Sequence, residues 1–268
     1  MTIGIEAISY VGTTLLSMIF GSHPGCRSVG HCYLFFKGYG KSKQHLIDKE
    51  NVCEICSLLE KKCDLNALKL ARDIRPSDAY EYIQNVVLFE SGETIIDSSS
   101  VTPWFKESKP HHIVWMFRDP VTLASSYKKK GLSLDYMINA YNSKYKKAVT
   151  PVIEYRKIIE ETDELKALFT RLGLEFSPEY LEYWKYDNHM TGGNPGVLLN
   201  YAKHHNLDTE EIIERISSGS REYKRYYEKS EGNFTGAIDI LTPEERVYVV
   251  DKCFQTYRRL LDLQNELL

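Results

Sequence analysis

The run Ile113-Val114-Trp115-Met116-Phe117, stopped by Arg118-Asp119-Pro120, constrains this chain more than any other feature. Five apolar residues with no polar position between them read as a strand buried on both faces, and Pro120 suits the first turn of a helix that follows at once. The same grammar opens the chain. Residues 3–8 carry a buried-strand pattern, Ser9-Tyr10-Val11-Gly12-Thr13-Thr14 forms a polar loop, and residues 15–20 continue as an apolar helix. A helix-spaced stretch over 78–89, with Tyr80, Ile83, Val86 and Val87 on one stripe, precedes another strand over 93–97 that ends in Ser98-Ser99-Ser100. Strands alternating with helices predict an α/β fold built on a P-loop-like central parallel sheet flanked by helices.

Ser22-His23-Pro24-Gly25 ends the first helix, and residues 28–36 resume an apolar course. Residues 37–64 change texture to Lys, Gly, Glu and clustered Cys, which predicts a small insertion with its own local order, in need of a staple. Beyond Leu132 the pattern is helical over 136–159, 162–172, 178–186, 209–217 and 242–267, a largely helical C-terminal half. Thr242-Pro243-Glu244-Glu245 supplies an N-cap, a first-turn proline and an acidic third position. A chain of 268 residues, 43% of them hydrophobic, suffices for one sizeable core, so residues 1–268 are expected to form a single domain with 37–64 as a Cys-containing insertion.

A net charge of −3 argues against nucleic acid as a partner, while leaving room for a local cationic pocket. No window is long enough to span a bilayer, and the opening residues lack a basic leader or cleavage site, so the expected location is the cytoplasm. There the six cysteines, Cys26, Cys32, Cys53, Cys56, Cys63 and Cys253, stay reduced or bind metal. Cys53-x-x-Cys56 with Cys63 has zinc-ligand spacing, and His45 or Cys32 would complete the set; free buried thiols are the alternative.

A loop that leaves a buried strand and enters a helix offers unpaired N–H groups and a positive dipole end, which suit a phosphate. Gly12 permits close backbone approach there, and Thr13 and Thr14 add hydroxyls. The loop lacks the G-x-x-x-x-G-K-[ST] pattern of nucleoside triphosphatases, and an ordinary strand-to-helix turn is the plainer reading. Arg118 leaves the end of the clearest strand and Ser126 lies about two turns into the next helix, so a guanidinium and a hydroxyl converge on one anion. The bland reading of Arg118 is a surface pair with Asp119.

Taken together, R-D-P with a serine eight residues after the arginine, behind a strong strand, resembles the 3'-phosphate segment of sulfotransferases. Gly12-Thr13-Thr14-Leu15-Leu16 resembles their 5'-phosphosulfate loop. Asp97-Ser98-Ser99, His23-Pro24, Gly30-His31 and His189 with Gly193-Asn194-Pro195 extend the resemblance over most of the chain and favour the bacterial-type carbohydrate or small-alcohol branch. The resemblance implies a donor, 3'-phosphoadenosine 5'-phosphosulfate (PAPS), held by Val11, Gly12, Thr13, Thr14 and Leu15 at its 5' end, by Arg118 and Ser126 at its 3'-phosphate, and by Asn194. It implies a hydroxyl or amine acceptor on a small molecule, carbohydrate or lipid. His31 stands where relatives place a glutamate, and imidazole suits proton abstraction near neutrality, which makes it the candidate base; a buried histidine bonded to backbone is the alternative. No magnesium is required.

One departure stands against these matches. Tyr10 and Val11 occupy the place of the family's usual loop cation, so Lys37, Lys41, Lys128 or Arg27 supplies positive charge from elsewhere, or transfer is slow or absent. A P-loop small-molecule kinase and a catalytically impaired binder of PAPS or its product, adenosine 3',5'-bisphosphate (PAP), are therefore the rivals. Arg221, Lys224, Arg225 and Lys229, with Gly232 nearby, fall where relatives close a basic loop over the 3'-phosphate, although interleaved Glu222, Glu228 and Glu231 suit a solvated face. Tyr33, Phe35, Phe36, Trp104 and Tyr127 are candidates for an acceptor pocket or for core.

Overall fold

The computed structural model describes residues 1–39, 50–87, 93–217, 228 and 239–266. In chain order the regular elements are β1 (Thr2–Glu6), α1 (Thr13–Gly21), β2 (Cys26–Gly30), α2 (Glu54–Leu58), α3 (Ala79–Val86), β3 (Thr94–Asp97), α4 (Thr102–Ser108), β4 (His112–Phe117), α5 (Pro120–Lys129) and α6 (Leu134–Tyr145). They continue as β5 (Val152–Glu154), α7 (Tyr155–Glu160), α8 (Thr162–Arg171), α9 (Gly196–His204), α10 (Glu210–Ser217) and α11 (Pro243–Asn265). The strands form one five-stranded sheet in the order β2-β3-β1-β4-β5, flanked by helices. The pairs β1–β3, β2–β3 and β4–β5 are parallel, as the alternation of strand and helix predicts.

The residues group into two compact units. The first comprises Met1–Glu6, Thr13–Ile113 and Glu179–Ile212. Its strands β1 and β3 are buried at every position, which is why they read as unbroken runs. Ile3 pairs with Ile96 and Cys26 with Thr94. Asp97, fully buried at the end of β3, accepts hydrogen bonds from the Ser99 N–H at 2.8 Å, the Ser99 hydroxyl, Tyr80 Oη at 2.9 Å and Trp104 Nε1 at 2.7 Å. Burial lifts this carboxyl above its usual range against the pull of those bonds. The Ser98 N–H donates to Gly30 O at 3.1 Å, so the ends of β2 and β3 are tied together.

The second unit comprises Ala7–Gly12, Val114–Pro178 and Ile213–Leu268. In it β4 and β5 pair Trp115 with Val152 and Phe117 with Glu154. Asp119 caps α5, its Oδ1 accepting from the N–H groups of Val121 and Thr122 at 3.0 and 2.9 Å. Thr242 and Glu245 form the full capping box at the start of α11, which packs on α5, α6 and β5. Gln264 near its far end accepts the Glu154 N–H at 2.6 Å.

Several elements differ from the sequence-based expectation. The single helix over 136–159 is two helices, α6 and α7, separated by β5. Pro151 has no N–H and biases Thr150 away from helix, and the freed residues that follow are buried against β4. The helix expected over 178–186 is a 3-10 segment, Pro178–Lys185, broken at Glu182 by non-helical angles. The apolar course over 28–36 divides into β2 and a 3-10 turn, Cys32–Phe35.

Candidate functional site

The loop after β1 lies at the start of the second unit up to Gly12. Tyr10, 42% exposed, takes a φ of +66° and sets its ring edge-on to Tyr127 at 5.1 Å. Val11 is buried. Gly12 has a φ of +113°, and a Cβ built there would fall 2.4 Å from two carbons of the Tyr155 ring, so the backbone passes where only glycine fits. Arg118 meets the same ring, its guanidinium carbon 4.8 Å from the Tyr155 centroid. Arg118 Nη1 also donates to Tyr10 O at 3.4 Å. Two segments more than a hundred residues apart in sequence thus meet through Tyr155 and the Tyr10 carbonyl. Asp119, the alternative surface partner for Arg118, directs its carboxylate to the α5 cap. Ser126 is half-buried on α5 and donates to Thr122 O at 3.3 Å, whereas buried Ser125 donates to Asp239 at 3.2 Å.

In the first unit, Thr13 opens α1, and Thr14 and Leu15 are buried within it. Thr14 Oγ1 accepts the Asn194 N–H at 3.0 Å, and Asn194 Oδ1 accepts the Gly196 N–H at 3.0 Å at the start of α9. His31, half-buried, heads the turn after β2; its N–H donates to Thr191 O at 2.9 Å and its ring lies 6.4 Å from that of Tyr33. The Tyr33 N–H donates to Ser99 Oγ at 3.4 Å, so the Asp97 network reaches the residues beside His31. Of the aromatics considered for an acceptor pocket, Phe35, Phe36 and Trp104 here and Tyr127 in the second unit are buried core; Tyr33 keeps partial exposure.

The stand-ins for the missing loop cation are mostly committed elsewhere. Lys128 Nζ lies 2.6 and 2.8 Å from the two Glu245 carboxylate oxygens. Arg27 Nη1 lies 2.9 Å from His189 Nε2, and its Nη2 is 3.4 Å from Glu93 Oε1. Lys37 is exposed. Lys41, His45 and the basic segment from Arg221 to Gly232, Glu228 excepted, lie outside the described residues.

Cys53, Cys56 and Cys63 come together with His189, all four buried, with one ligand atom of each within 4.8 Å of the others. The fourth member is thus neither Cys32, whose thiol is buried against Asp97 and Ser99, nor any other described residue near it in sequence. Burial alone would push the Cys53 thiol up, but hydrogen bonds from Cys56, Cys63 and His189 outweigh it and hold it well below the usual range. Cys63 is pushed up to about 12, by Cys53 first, with burial adding to it. Sequence reasoning attached His189 to the Gly193-Asn194-Pro195 segment and missed this role, because no local spacing links it to the cysteines. It also missed Tyr155, which carries no motif at all.

No family model matches the sequence, and no curated protein matches it. The fold is of the sulfotransferase type. A solved structure described as the sulfotransferase domain from the curacin biosynthetic pathway superposes with a TM-score of 0.51 at 15% identity, spanning 94% of this chain and 96% of that domain.

Proposed function

We propose that this protein is a PAPS-dependent sulfotransferase acting on a hydroxyl or amine of a small-molecule, carbohydrate or lipid acceptor. The observation that carries this reading is the meeting of Gly12 and Arg118 at the Tyr155 ring, since these are the residues that resemble the family's two donor-binding segments. In this reading the backbone of Val11, Gly12 and Leu15, with the Thr13 and Thr14 hydroxyls, holds the 5'-phosphosulfate, and Asn194 supports Thr14. Arg118 and Ser126 hold the ribose 3'-phosphate. His31 takes the acceptor proton as the acceptor oxygen or nitrogen bonds to sulfur and the bond from sulfur to the bridging oxygen breaks, releasing PAP.

A second reading, a binder of PAP or PAPS without transferase activity, is favoured by Tyr10 and by the commitment of Lys128 to Glu245. Calorimetry with PAP against ATP tests the lineage: tighter binding of PAP is expected, and tighter ATP would move the chain to the kinases. Transfer of labelled sulfate from PAPS to a panel of sugars, lipids and phenols tests the enzyme. His31→Ala is expected to slow transfer by about 10²–10⁴-fold with PAP affinity retained; an unchanged rate removes His31 as the base.

A further inference from the structure

We propose that Cys53, Cys56, Cys63 and His189 bind one zinc ion, and that this ion clamps the 188–194 segment in the register that supports Thr14 and His31. Geometry comes first. A zinc tetrahedron with Zn–S near 2.3 Å and Zn–N near 2.0 Å has S···N edges of about 3.5 Å. His189 Nδ1 lies 3.4 Å from Cys56 Sγ and 3.6 Å from Cys63 Sγ. Cys53 Sγ accepts the N–H groups of Cys56 at 3.4 Å and Met190 at 3.2 Å, which aim and stabilise a thiolate ligand.

The surroundings fit the charge. Three thiolates and a neutral imidazole around Zn²⁺ carry one net negative charge, and Arg27 stands beside His189. A guanidinium only donates, so Nε2 accepts from it and the ring proton sits on Nδ1, facing Cys56 and Cys63. A ring bound to zinc through Nδ1 carries its proton on Nε2 instead, and Arg27 then closes on Glu93. That carboxylate has a buried oxygen, Oε2, with no partner among the described residues, ready to accept.

The clamp follows from what else the segment holds. It has no regular secondary structure, yet Asn188 to Thr191 are buried. Ser28 Oγ donates to His189 O at 3.0 Å, the Glu54 N–H to Met190 O at 2.8 Å, the His31 N–H to Thr191 O at 2.9 Å, and Thr191 Oγ1 to Val29 O at 2.6 Å. Gly30, at a φ of +65°, makes room for it: a Cβ there would fall 2.4 Å from Thr191 N. A metal on His189 therefore anchors one end of a strap whose other end is the Asn194 N–H on Thr14. The metal site stands on these residues alone; its bearing on the donor rests on the roles proposed for Thr14 and His31.

Zinc measured in protein purified under reducing conditions should be one per chain. Replacement by Co²⁺ should give the visible bands of a tetrahedral thiolate site, shifted by His189→Cys and lost in Cys63→Ser. His189→Ala should weaken Zn²⁺ in a chelator competition by more than the roughly 10–100-fold that loss of an outer-shell partner costs. For the case that a cysteine variant does not fold, the parent chain is stripped with chelator and followed by amide hydrogen exchange. Exchange should quicken over 186–196 and 28–33, recover when Zn²⁺ returns, and stay unchanged over α11. A disulfide among the three cysteines in place of zinc, a cobalt spectrum indifferent to His189→Cys, or exchange over 186–196 that ignores the metal would overturn the proposal. None of these readouts involves donor or acceptor, so its failure and that of the sulfotransferase reading are separate events.

Discussion

Gly12→Ala concentrates the donor-loop argument in one methyl group. The new Cβ would meet Tyr155 Cδ2 and Cε2 at 2.4 Å and Met116 Cε at 3.3 Å, while the backbone holds a φ of +113° that L side chains rarely adopt. The backbone strain costs roughly 1–3 kcal/mol, and overpacking against a ring already pinned by Arg118 costs about as much again, roughly 1–3 kcal/mol. At roughly 2–4 °C per kcal/mol for a chain of this size, the melting temperature should fall by at least about 4 °C. Relief by moving Tyr155 would disturb its contact with Arg118, so calorimetry should show PAP affinity falling too. Tyr155→Leu in the Gly12→Ala background should recover part of the stability, the overpacking share, and leave the φ strain. If Gly12→Ala melts within about 1 °C of the parent and binds PAP as tightly, the close passage of loop and ring is wrong.

Arg118→Ala should weaken PAP by roughly 10–150-fold, as expected for charge-assisted hydrogen bonds, and leave adenosine 5'-phosphosulfate, which lacks the 3'-phosphate, within about threefold. Equal losses on both ligands in calorimetry would place Arg118 at the 5' end instead. Asp97→Asn turns one of two accepting oxygens into a donor among four donors, so urea unfolding should show a loss of about 2–4 kcal/mol; a loss under about 0.5 kcal/mol would deny the network. Lys128→Met breaks a partly exposed ion pair and should cost less than about 1 kcal/mol with transfer unchanged. A collapse of sulfuryl transfer at unchanged stability would instead make Lys128 the missing loop cation.

What could be read in the sequence follows the range of the forces involved. The strand, loop and helix around Gly12, and the strand that stops at Arg118, are written in contiguous residues, and so is the capping box at Thr242, which the structure shows with both of its hydrogen bonds. β5 was hidden because three residues are too few for a period, and its helical neighbours Tyr155 to Glu160 masked the break at Pro151. His189 and Tyr155 owe their places to partners far along the chain, Cys56 and Gly12, and no spacing rule connects such residues. The three cysteines announced a metal-type cluster locally, while its completion depended on the tertiary fold.

The first unit is assembled from three pieces of chain, with residues 114–178 intervening before the last of them. A contiguous fragment ending at 178 would hold Thr14, Ser28 and three cysteines but none of the groups at 188–194 that satisfy them. During translation at roughly 5–20 residues per second, the nascent polypeptide takes about 6–25 s to pass from Cys63 to His189. Those seconds are when the three thiols lack their imidazole partner, and the yield of correctly matured molecules should depend on keeping them reduced until the late segment emerges.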